Sequence, residues 1–276
     1  MKRREFKTAG IGGLDLHAQA WLPDSTPRAV IALAHGLGEH SGRYERVASR
    51  LVAAGHAVYA LDHRGHGRSP GPRADIGRFD HVVSDFCAFA GRTARQHPGT
   101  DLFLLGHSLG GAIAFASALR LQDRLRGVVL SAPALAIEGR VPGWQQALVR
   151  VLAVVAPGTG VLRLSPAAVS RDPQVVREYE TDPLVHHGAI PARTAVELLR
   201  ATRTFPALAS RLRLPVLILH GTADRLVPLA PARPVHDAIA SKDRTLRYYE
   251  KLYHEVFNEP EHEQVMADLL RWLAAH

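Results

Sequence analysis

Residues 102–111 read LFLLGHSLGG, an apolar run that ends in a serine framed by glycines. The apolar half predicts a buried strand, and the residues that follow the motif predict a helix. Between them, Gly106 and Gly110 lack the Cβ atoms that would push strand and helix apart at a sharp turn, with His107 beside the serine. Ser108 would then stand at a helix N-terminus, where the partial positive charge of the helix favours a developing oxyanion. This order of strand, turn and helix predicts a nucleophilic serine.

Similar short apolar runs recur on both sides of this motif. They are Ala29–His35, Ala57–Asp62, Val128–Ala132 and Pro215–His220. Continuous apolar runs are typical of strands that are covered on both faces of a parallel sheet. Segments with helical periodicity lie between the runs, namely Tyr44–Ala54, His81–His97 and Ala112–Leu121. The alternation predicts an α/β fold with a mostly parallel central sheet flanked by helices, and Leu14–Pro23 predicts an N-terminal strand or hairpin.

The alternation of strands and helices stops after Pro133 and resumes only at Leu214. The intervening sequence is apolar, helical in period and rich in proline and glycine. We therefore expect a core made of residues 1–136 and 207–276, with residues 137–206 inserted as a helical cap. Beyond the cap, the sequence predicts a helix, a strand and a closing amphipathic helix at Pro228–Ala240, Thr245–Glu250 and Glu261–Ala275.

A serine hydroxyl is a weak nucleophile, so a base and an orienting acid are expected in the chain order serine, acid, histidine. Asp224 follows the run that ends at His220, and His254 follows the predicted strand at 245–250. Carboxyl ends of parallel strands share one sheet edge, which would bring both residues to Ser108. Taken alone, Asp224 is equally typical of a helix cap and His254 of a surface loop. The rival acids Asp172 and Asp182 lie in the inserted segment, with no strand end to position them.

The loop His35-Gly36-Leu37-Gly38 directly follows the first strand of the predicted parallel sheet. Its glycines allow the loop to bend. The N–H group of Leu37 in this loop and that of Leu109, which follows Ser108, are the expected donors to an oxyanion. An ordinary turn at the end of a strand is the alternative.

The composition narrows the range of functions. The net charge of +8 would suit an anionic surface, but the arginines are scattered rather than clustered, so no nucleic-acid partner is expected. No basic leader with an apolar core and no long apolar run is present, which predicts a soluble protein without a Sec-type signal or transmembrane helix. We expect it to be cytoplasmic or peripherally membrane-associated, and its arginine and alanine bias indicates a bacterial source.

A metal or cofactor is not expected. The chain has 16 histidines, and the close pairs are His35 with His40, His63 with His66, and His186 with His187. None forms a helical HExxH motif, and the single cysteine, Cys87, rules out a thiolate cluster. No glycine pattern of the dinucleotide or P-loop type follows a strand, so the reaction should need no cofactor.

The chain resembles the bacterial and mammalian monoacylglycerol lipases, within a wider group of serine hydrolases that includes lysophospholipases. The shared stretches are AHGLGEHSGRY (34–44), LDHRGHGRS (61–69), LLGHSLGG (104–111), SAPAL (131–135), SRDPQVVREYETDPLVHHG (170–188), LHGTADRLVP (219–228) and YHEVFNEPE (253–261). The resemblance covers nearly the whole chain and implies the α/β-hydrolase fold with a cap. It also implies Ser108 as nucleophile, Asp224 and His254 as its partners, and Leu37 and Leu109 as oxyanion donors.

The expected activity is hydrolysis of a lipid ester, with monoacylglycerol as substrate. A lysophospholipase or a general carboxylesterase would use the same triad, and a binding module of the same fold would use none. In the cap, residues 144–156 (WQQALVRVLAVVA) carry an apolar stripe that could bind the acyl chain or touch a membrane surface. The stripe consists of Trp144, Leu148, Val151, Leu152 and Val155. Packing against the core is the alternative use of such a stripe.

Overall fold

The structure is a computed structural model that describes residues 1–136 and 143–276. Eight strands form one sheet in the order β1-β2-β4-β3-β5-β6-β9-β10. Their bounds are β1 (Lys2–Ala9), β2 (Asp15–Leu22), β3 (Ala29–Ala34), β4 (Ala57–Leu61), β5 (Asp101–His107), β6 (Gly127–Ser131), β9 (Val216–Gly221) and β10 (Arg244–Tyr249). The pairs from β4 to β10 are all parallel, whereas β2 runs antiparallel to both β1 and β4. The predicted mostly parallel sheet is confirmed.

The helices between these strands follow the predicted order. They are α1 (Glu45–Ala53), α2 (Phe79–Arg95), α3 (Leu109–Leu121), α8 (Leu229–Ala238) and α9 (His262–Ala275). The helix predicted from Ala112 begins at Leu109, because the chain passes from β5 to α3 with only Ser108 between them. The N-terminal segment forms a hairpin, and its first strand, β1, is absent from the prediction because its exposed, charged sequence carries no apolar signal.

Both faces of the central strands are buried by helices. Along β3, Val30 and Ala32 belong to an apolar cluster with side chains of α2 and α3, whereas Ile31 and Leu33 belong to a second cluster with those of α1 and α9. This alternation explains why the central strands are apolar at every position. Because these strands are parallel, their carboxyl ends lie at one edge of the sheet, together with the loops that follow them.

The segment between β6 and β9 contains helices and one small pair of strands. Its elements are α4 (Gly143–Val155), β7 (Gly160–Leu162), α5 (Pro173–Thr181), β8 (Ile190–Pro191), α6 (Ala192–Thr202) and α7 (Phe205–Ala209). The first residues of the predicted cap, 137–142, lie outside the described residues. No helix in the described part of the chain is both long enough and apolar enough to cross a membrane.

The turn from β5 to α3 brings backbone segments into close contact. A Cβ atom on Gly106 would overlap the carbonyl oxygen of Gly110, and one on Gly110 would overlap the carbonyl oxygens of Ala34 and His35. These obstacles are backbone atoms, which cannot rotate away. Only glycine fits at both positions.

We predict that Gly110→Ala lowers the free energy of unfolding by about 3 kcal/mol or more, since overpacking against rigid backbone exceeds the usual cost in a core. Gly158→Ala is the matched control, because no heavy atom lies within 4 Å of a Cβ built there. Urea unfolding of both variants measures the difference. Equal stability of the two would contradict the packing argument.

Candidate active site

Ser108 occupies a strained position at the end of β5. Its backbone has φ 55° and ψ −119°, a conformation that non-glycine residues rarely adopt. Backbone hydrogen bonds hold it: its N–H donates to the Ser131 carbonyl at 3.0 Å, and its carbonyl accepts from the N–H groups of Ala134 and Ala112 at 3.0 and 3.1 Å. Strain of this kind is concentrated at functional sites, where the surrounding structure holds it. The side chain is half-buried and lies at the open edge of the sheet.

Asp224 and His254 meet although 30 residues separate them in the chain. Asp224 follows β9, and His254 follows β10, its parallel neighbour. Asp224 Oδ2 accepts a hydrogen bond from His254 Nδ1 at 2.7 Å, while Asp224 Oδ1 accepts from the N–H groups of Leu226 and Val227 at 2.8 and 2.9 Å. The carboxylate therefore caps the following turn and also orients the imidazole. Because Nδ1 carries the proton in this bond, Nε2 of a neutral His254 is left as the acceptor.

The His254 ring lies against the serine turn. Its centroid is 4.7 Å from that of His107, the residue next to Ser108. The rival acids are engaged elsewhere: Asp172 accepts from the Gln174 N–H at 2.8 Å as the cap of α5, and Asp182 pairs with His40 Nε2 at 2.8 Å.

The charges of the site favour an imidazolium at His254. Burial alone would lower the pKa of His254, but Asp224, followed by Glu255 and Glu39, outweighs burial and raises that pKa above its ordinary value. For Asp224, burial would raise the pKa, but His254 and hydrogen bonds lower it well below its ordinary range. Burial lowers the pKa of His107 to about 4, so this neighbour is neutral at physiological pH. An ionised Asp224 thus faces an imidazole whose protonated form is stabilised.

The loop after β3 passes directly over Ser108. A Cβ built on Gly36 would lie 3.2 Å from Ser108 Cβ, so the backbone approaches the serine as closely as glycine permits. Leu37 is the next residue of this loop, and Leu109 is the first residue of α3, where N–H groups have no partner within the helix. The assignment of these two amides as oxyanion donors stays a prediction.

His35 braces the loop from beneath. Its Nδ1 donates to the Gly36 carbonyl at 2.8 Å, and its Nε2 accepts from the His63 N–H at 3.0 Å. The ring therefore joins the loops that follow β3 and β4. The His35 ring thus supports the backbone of Gly36.

Sequence reasoning missed several buried polar residues around the triad. His220 Nε2 donates to the Val227 carbonyl at 2.8 Å and lies 3.5 Å from Asp224 Oδ2, so it holds the acid loop. Glu39, Arg43 and Glu255 form a buried ionic group beside His254. In the sequence, these charged residues look like those of solvated loops. Only their position, within five residues of Gly38 or directly after His254, could have drawn attention to them.

The apolar stripe of α4 is exposed. The exposed fraction is 67% for Trp144, 50% for Leu148, 56% for Val151 and 71% for Val155, and Leu152 is half-buried. The alternative that the stripe packs against the core is therefore wrong for four of the five residues. Their use in substrate binding is not decided by this exposure.

The close histidine pairs are engaged in contacts within the fold. Within residues 1–136 and 143–276, no three His, Cys, Asp or Glu side chains are grouped so that they could hold a metal ion. His40 pairs with Asp182, and His63 and His66 lie in a cluster of rings with His35.

Comparison with known proteins assigns the family. Residues 25–261 match the family described as serine aminopeptidase, S33. A monoacylglycerol lipase of Mycolicibacterium smegmatis is 45% identical over 274 residues, 99% of this chain and 98% of the relative. The human monoglyceride lipase is 35% identical over 90% of this chain and 82% of its own length. The crystal structure of Paleococcus ferrophilus monoacylglycerol lipase, 33% identical, superposes with a TM-score of 0.83 and full coverage of both chains.

The rings of His35, His63 and His66 form a buried cluster below the site. The centroid of His35 lies 4.2 Å from that of His63 and 5.5 Å from that of His66. Burial, then the neighbouring rings, lowers the pKa of His63 well below its ordinary value, and burial also lowers the pKa of the other two. Neither ring nitrogen of His63 has a hydrogen-bond partner within the described part of the chain.

Acid should therefore destabilise the fold. Since the pKa of each ring is lower in the folded than in the unfolded state, the unfolded state binds more protons below about pH 6.5, and stability falls as pH drops from there. We predict that His63→Phe reduces this slope by up to about 1.4 kcal/mol per pH unit. Urea unfolding between pH 7 and pH 4.5 measures it.

His187→Phe, at an exposed histidine, is the control and should keep the slope of the native protein. An unchanged slope in His63→Phe would show that the ring does not resist protonation in the fold.

Proposed function

The chain belongs to the serine aminopeptidase S33 family of α/β hydrolases, and we propose that it hydrolyses monoacylglycerols to glycerol and free fatty acid. The observation that carries the proposal is the 2.7 Å bond from His254 Nδ1 to Asp224, with the His254 ring against the turn that presents Ser108. Relatives that cover the chain almost completely are named for this activity.

In the first half of the reaction, Ser108 Oγ attacks the ester carbonyl and His254 Nε2 takes its proton. The carbonyl oxygen becomes an oxyanion that accepts hydrogen bonds from the N–H groups of Leu37 and Leu109. The C–O bond to glycerol then breaks, and the imidazolium returns the proton to the departing glycerol oxygen. An acyl ester on Ser108 remains.

In the second half, water attacks the acyl ester while His254 accepts one of its protons. Collapse of the second oxyanion releases the fatty acid, and the same proton returns to Ser108 Oγ. Asp224 stays ionised throughout, because its lowered pKa keeps it a carboxylate while the imidazole becomes charged. No cofactor takes part in this scheme.

We further propose that residues 137–206 act as a cap and that α4 meets a membrane surface, which fits a cytoplasmic or peripherally membrane-associated protein. Val154 is 81% exposed beside the stripe, and α4 carries no acidic residue. Arg150 and Arg163 are exposed near the stripe, each worth about 1 kcal/mol at an anionic surface. Arg140, which flanks the stripe in sequence, lies outside the described residues.

We predict that Ser108→Ala lowers kcat by on the order of 10⁴ to 10⁶, because triad members act as a unit. Asp224→Asn should cost about 10⁴, since it holds the imidazole in the wrong tautomer. Turnover of a soluble p-nitrophenyl ester measures both.

Asp172→Asn is the matched control, because it changes an aspartate that caps a helix in the inserted segment. If it proved as damaging as Asp224→Asn, or if Ser108→Ala kept activity within tenfold of the native protein, the triad assignment would fail.

Substrate class is tested by comparing kcat/KM for monoacylglycerol, diacylglycerol, lysophosphatidylcholine and a p-nitrophenyl ester. A preference for monoacylglycerol supports the proposal, whereas a preference for lysophosphatidylcholine or for the simple ester would favour a lysophospholipase or a carboxylesterase. A stoichiometric fluorophosphonate adduct on Ser108 would argue against a mere binding module.

Leu148→Asp and Val155→Asp should weaken binding to anionic vesicles and slow the turnover of long-chain monoacylglycerol, because a charge on the exposed face opposes contact with lipid. Hydrolysis of a soluble short-chain ester should change less than twofold. Sedimentation with vesicles and parallel rate measurements check both parts.

Ile11→Asp serves as the control, since Ile11 is also an exposed apolar residue but lies outside α4. Equal losses on both substrates, together with a lowered melting temperature, would show that the α4 stripe stabilises the fold instead.

A further inference from the structure

A buried ionic group connects the two loops that close over Ser108. We call Glu39, Arg43 and Glu255 the Arg43 clamp. Arg43 Nη1 lies 2.7 Å from both Glu39 Oε2 and Glu255 Oε1, and its Nη2 donates to Glu255 Oε2 at 2.9 Å. All three side chains are at most 10% exposed. The guanidinium thus bridges carboxylates that are 216 residues apart in the chain.

One end of the clamp holds the loop above the serine. Glu39 Oε1 accepts from the Gly36 N–H at 2.6 Å and from the Tyr44 hydroxyl at 2.7 Å. Gly36 directly precedes Leu37, the proposed oxyanion donor. A displacement of Glu39 would therefore displace the amide that the oxyanion needs.

The other end is bonded covalently to the base. Glu255 follows His254, and its N–H donates to the Val169 carbonyl at 2.8 Å. Glu255 Oε2 also accepts from Asn258 Nδ2 at 2.7 Å, so its carboxylate is held from two sides. Together with the Asp224 bond at Nδ1, this leaves the His254 ring little freedom.

The clamp also carries a net negative charge. Two carboxylates share one guanidinium, and they lie in the same buried region as the His254 ring. The charged and titratable groups that act on this ring are Asp224 from the loop after β9, Glu255 from its own loop, Glu39 from the segment before α1, and neutral His107 from β5. Arg43 lies between the two glutamates. The excess carboxylate favours the imidazolium that forms when Ser108 loses its proton.

Fold stability gives no sufficient reason for such a group. Taking three charges out of water is costly, and hydrophobic replacements of buried ion pairs are often equally stable. The clamp makes the contacts that the reaction needs: one end fixes an amide, and the other fixes a base.

On this basis, and resting on the proposed hydrolase function, we propose that Glu39, Arg43 and Glu255 are positioning residues. They hold the Gly36 loop and the His254 loop in one geometry, and their net negative charge stabilises the His254 imidazolium in the transition state.

Two variants test positioning and charge separately. Glu255→Gln keeps the shape and removes the charge, so the acid limb of the pH–rate profile should move about 0.5 to 1 pH unit lower, with the plateau about tenfold slower. The acid limb moves to lower pH because the loss of a negative charge lowers the pKa of His254, so that the base stays neutral at lower pH. Arg43→Lys keeps the charge and loses the bidentate contact, so its plateau should fall with the acid limb unmoved.

The measurement is kcat/KM for p-nitrophenyl butyrate from pH 4.5 to pH 9, paired with the rate of fluorophosphonate labelling at each pH. Glu263→Gln is the matched control, because it removes a Glu–Arg pair with Arg50 at the surface, and its profile should coincide with that of the native protein. If Glu255→Gln does not fold, Glu39→Gln makes the same test from the other end of the clamp, with the same expected shift.

An active native protein whose Glu255→Gln variant keeps the native acid limb would overturn the clamp alone, as would a lowered melting temperature with unchanged rates. A native protein that neither hydrolyses the ester nor accepts the probe on Ser108 would overturn the proposed function, and the clamp with it.

Discussion

At the end of β5 the chain turns from strand to helix at a single residue, Ser108, and the rest of the site is arranged around that turn. The turn is possible because Gly106 and Gly110 leave room for the backbone of α3 and of the loop after β3. Backbone hydrogen bonds that Ser108 donates to Ser131 and accepts from Ala134 then hold a conformation that would otherwise be unfavourable. The burial of the central strands on both faces of the sheet offsets the energetic cost of this strain.

A second feature of the site is the concentration of acidic charge around one imidazole. Asp224 contacts His254 directly, and Glu255 and Glu39 add to its effect, while Arg43 balances only part of their charge. In water such charges would interact weakly, but in a buried site they act at a lower effective dielectric constant. These surroundings therefore keep Asp224 ionised and stabilise the protonated form of His254.

The site contrasts with the histidine cluster beneath it. Burial keeps His35, His63 and His66 neutral, and the His35 ring serves as a fixed link between two loops. His254, which is equally buried, differs because a carboxylate accepts its Nδ1 proton. This carboxylate partner, rather than burial, distinguishes His254 from the three histidines of the cluster. On the outer surface, α4 exposes apolar side chains that a purely structural helix would bury, and this exposure is the basis of the proposed contact with lipid.

The sequence by itself predicted the alternation of strands and helices in a mostly parallel core, the serine turn and the candidate triad. These follow from local signals: continuous apolar runs, glycines framing Ser108, and polar residues placed just after strands. It did not indicate β1, because an exposed edge strand with charged side chains has no apolar pattern. Nor did it decide whether the stripe of α4 would be exposed or packed against the core, since a stripe of apolar residues looks the same in both cases. Only the tertiary structure revealed the Arg43 clamp and the role of His220. The clamp joins residues that are far apart in the chain, and no sequence pattern marks His220 as a partner of the Asp224 loop. A buried glutamate and a solvated glutamate cannot be distinguished in the sequence. They differ in the distant side chains that the fold places beside them.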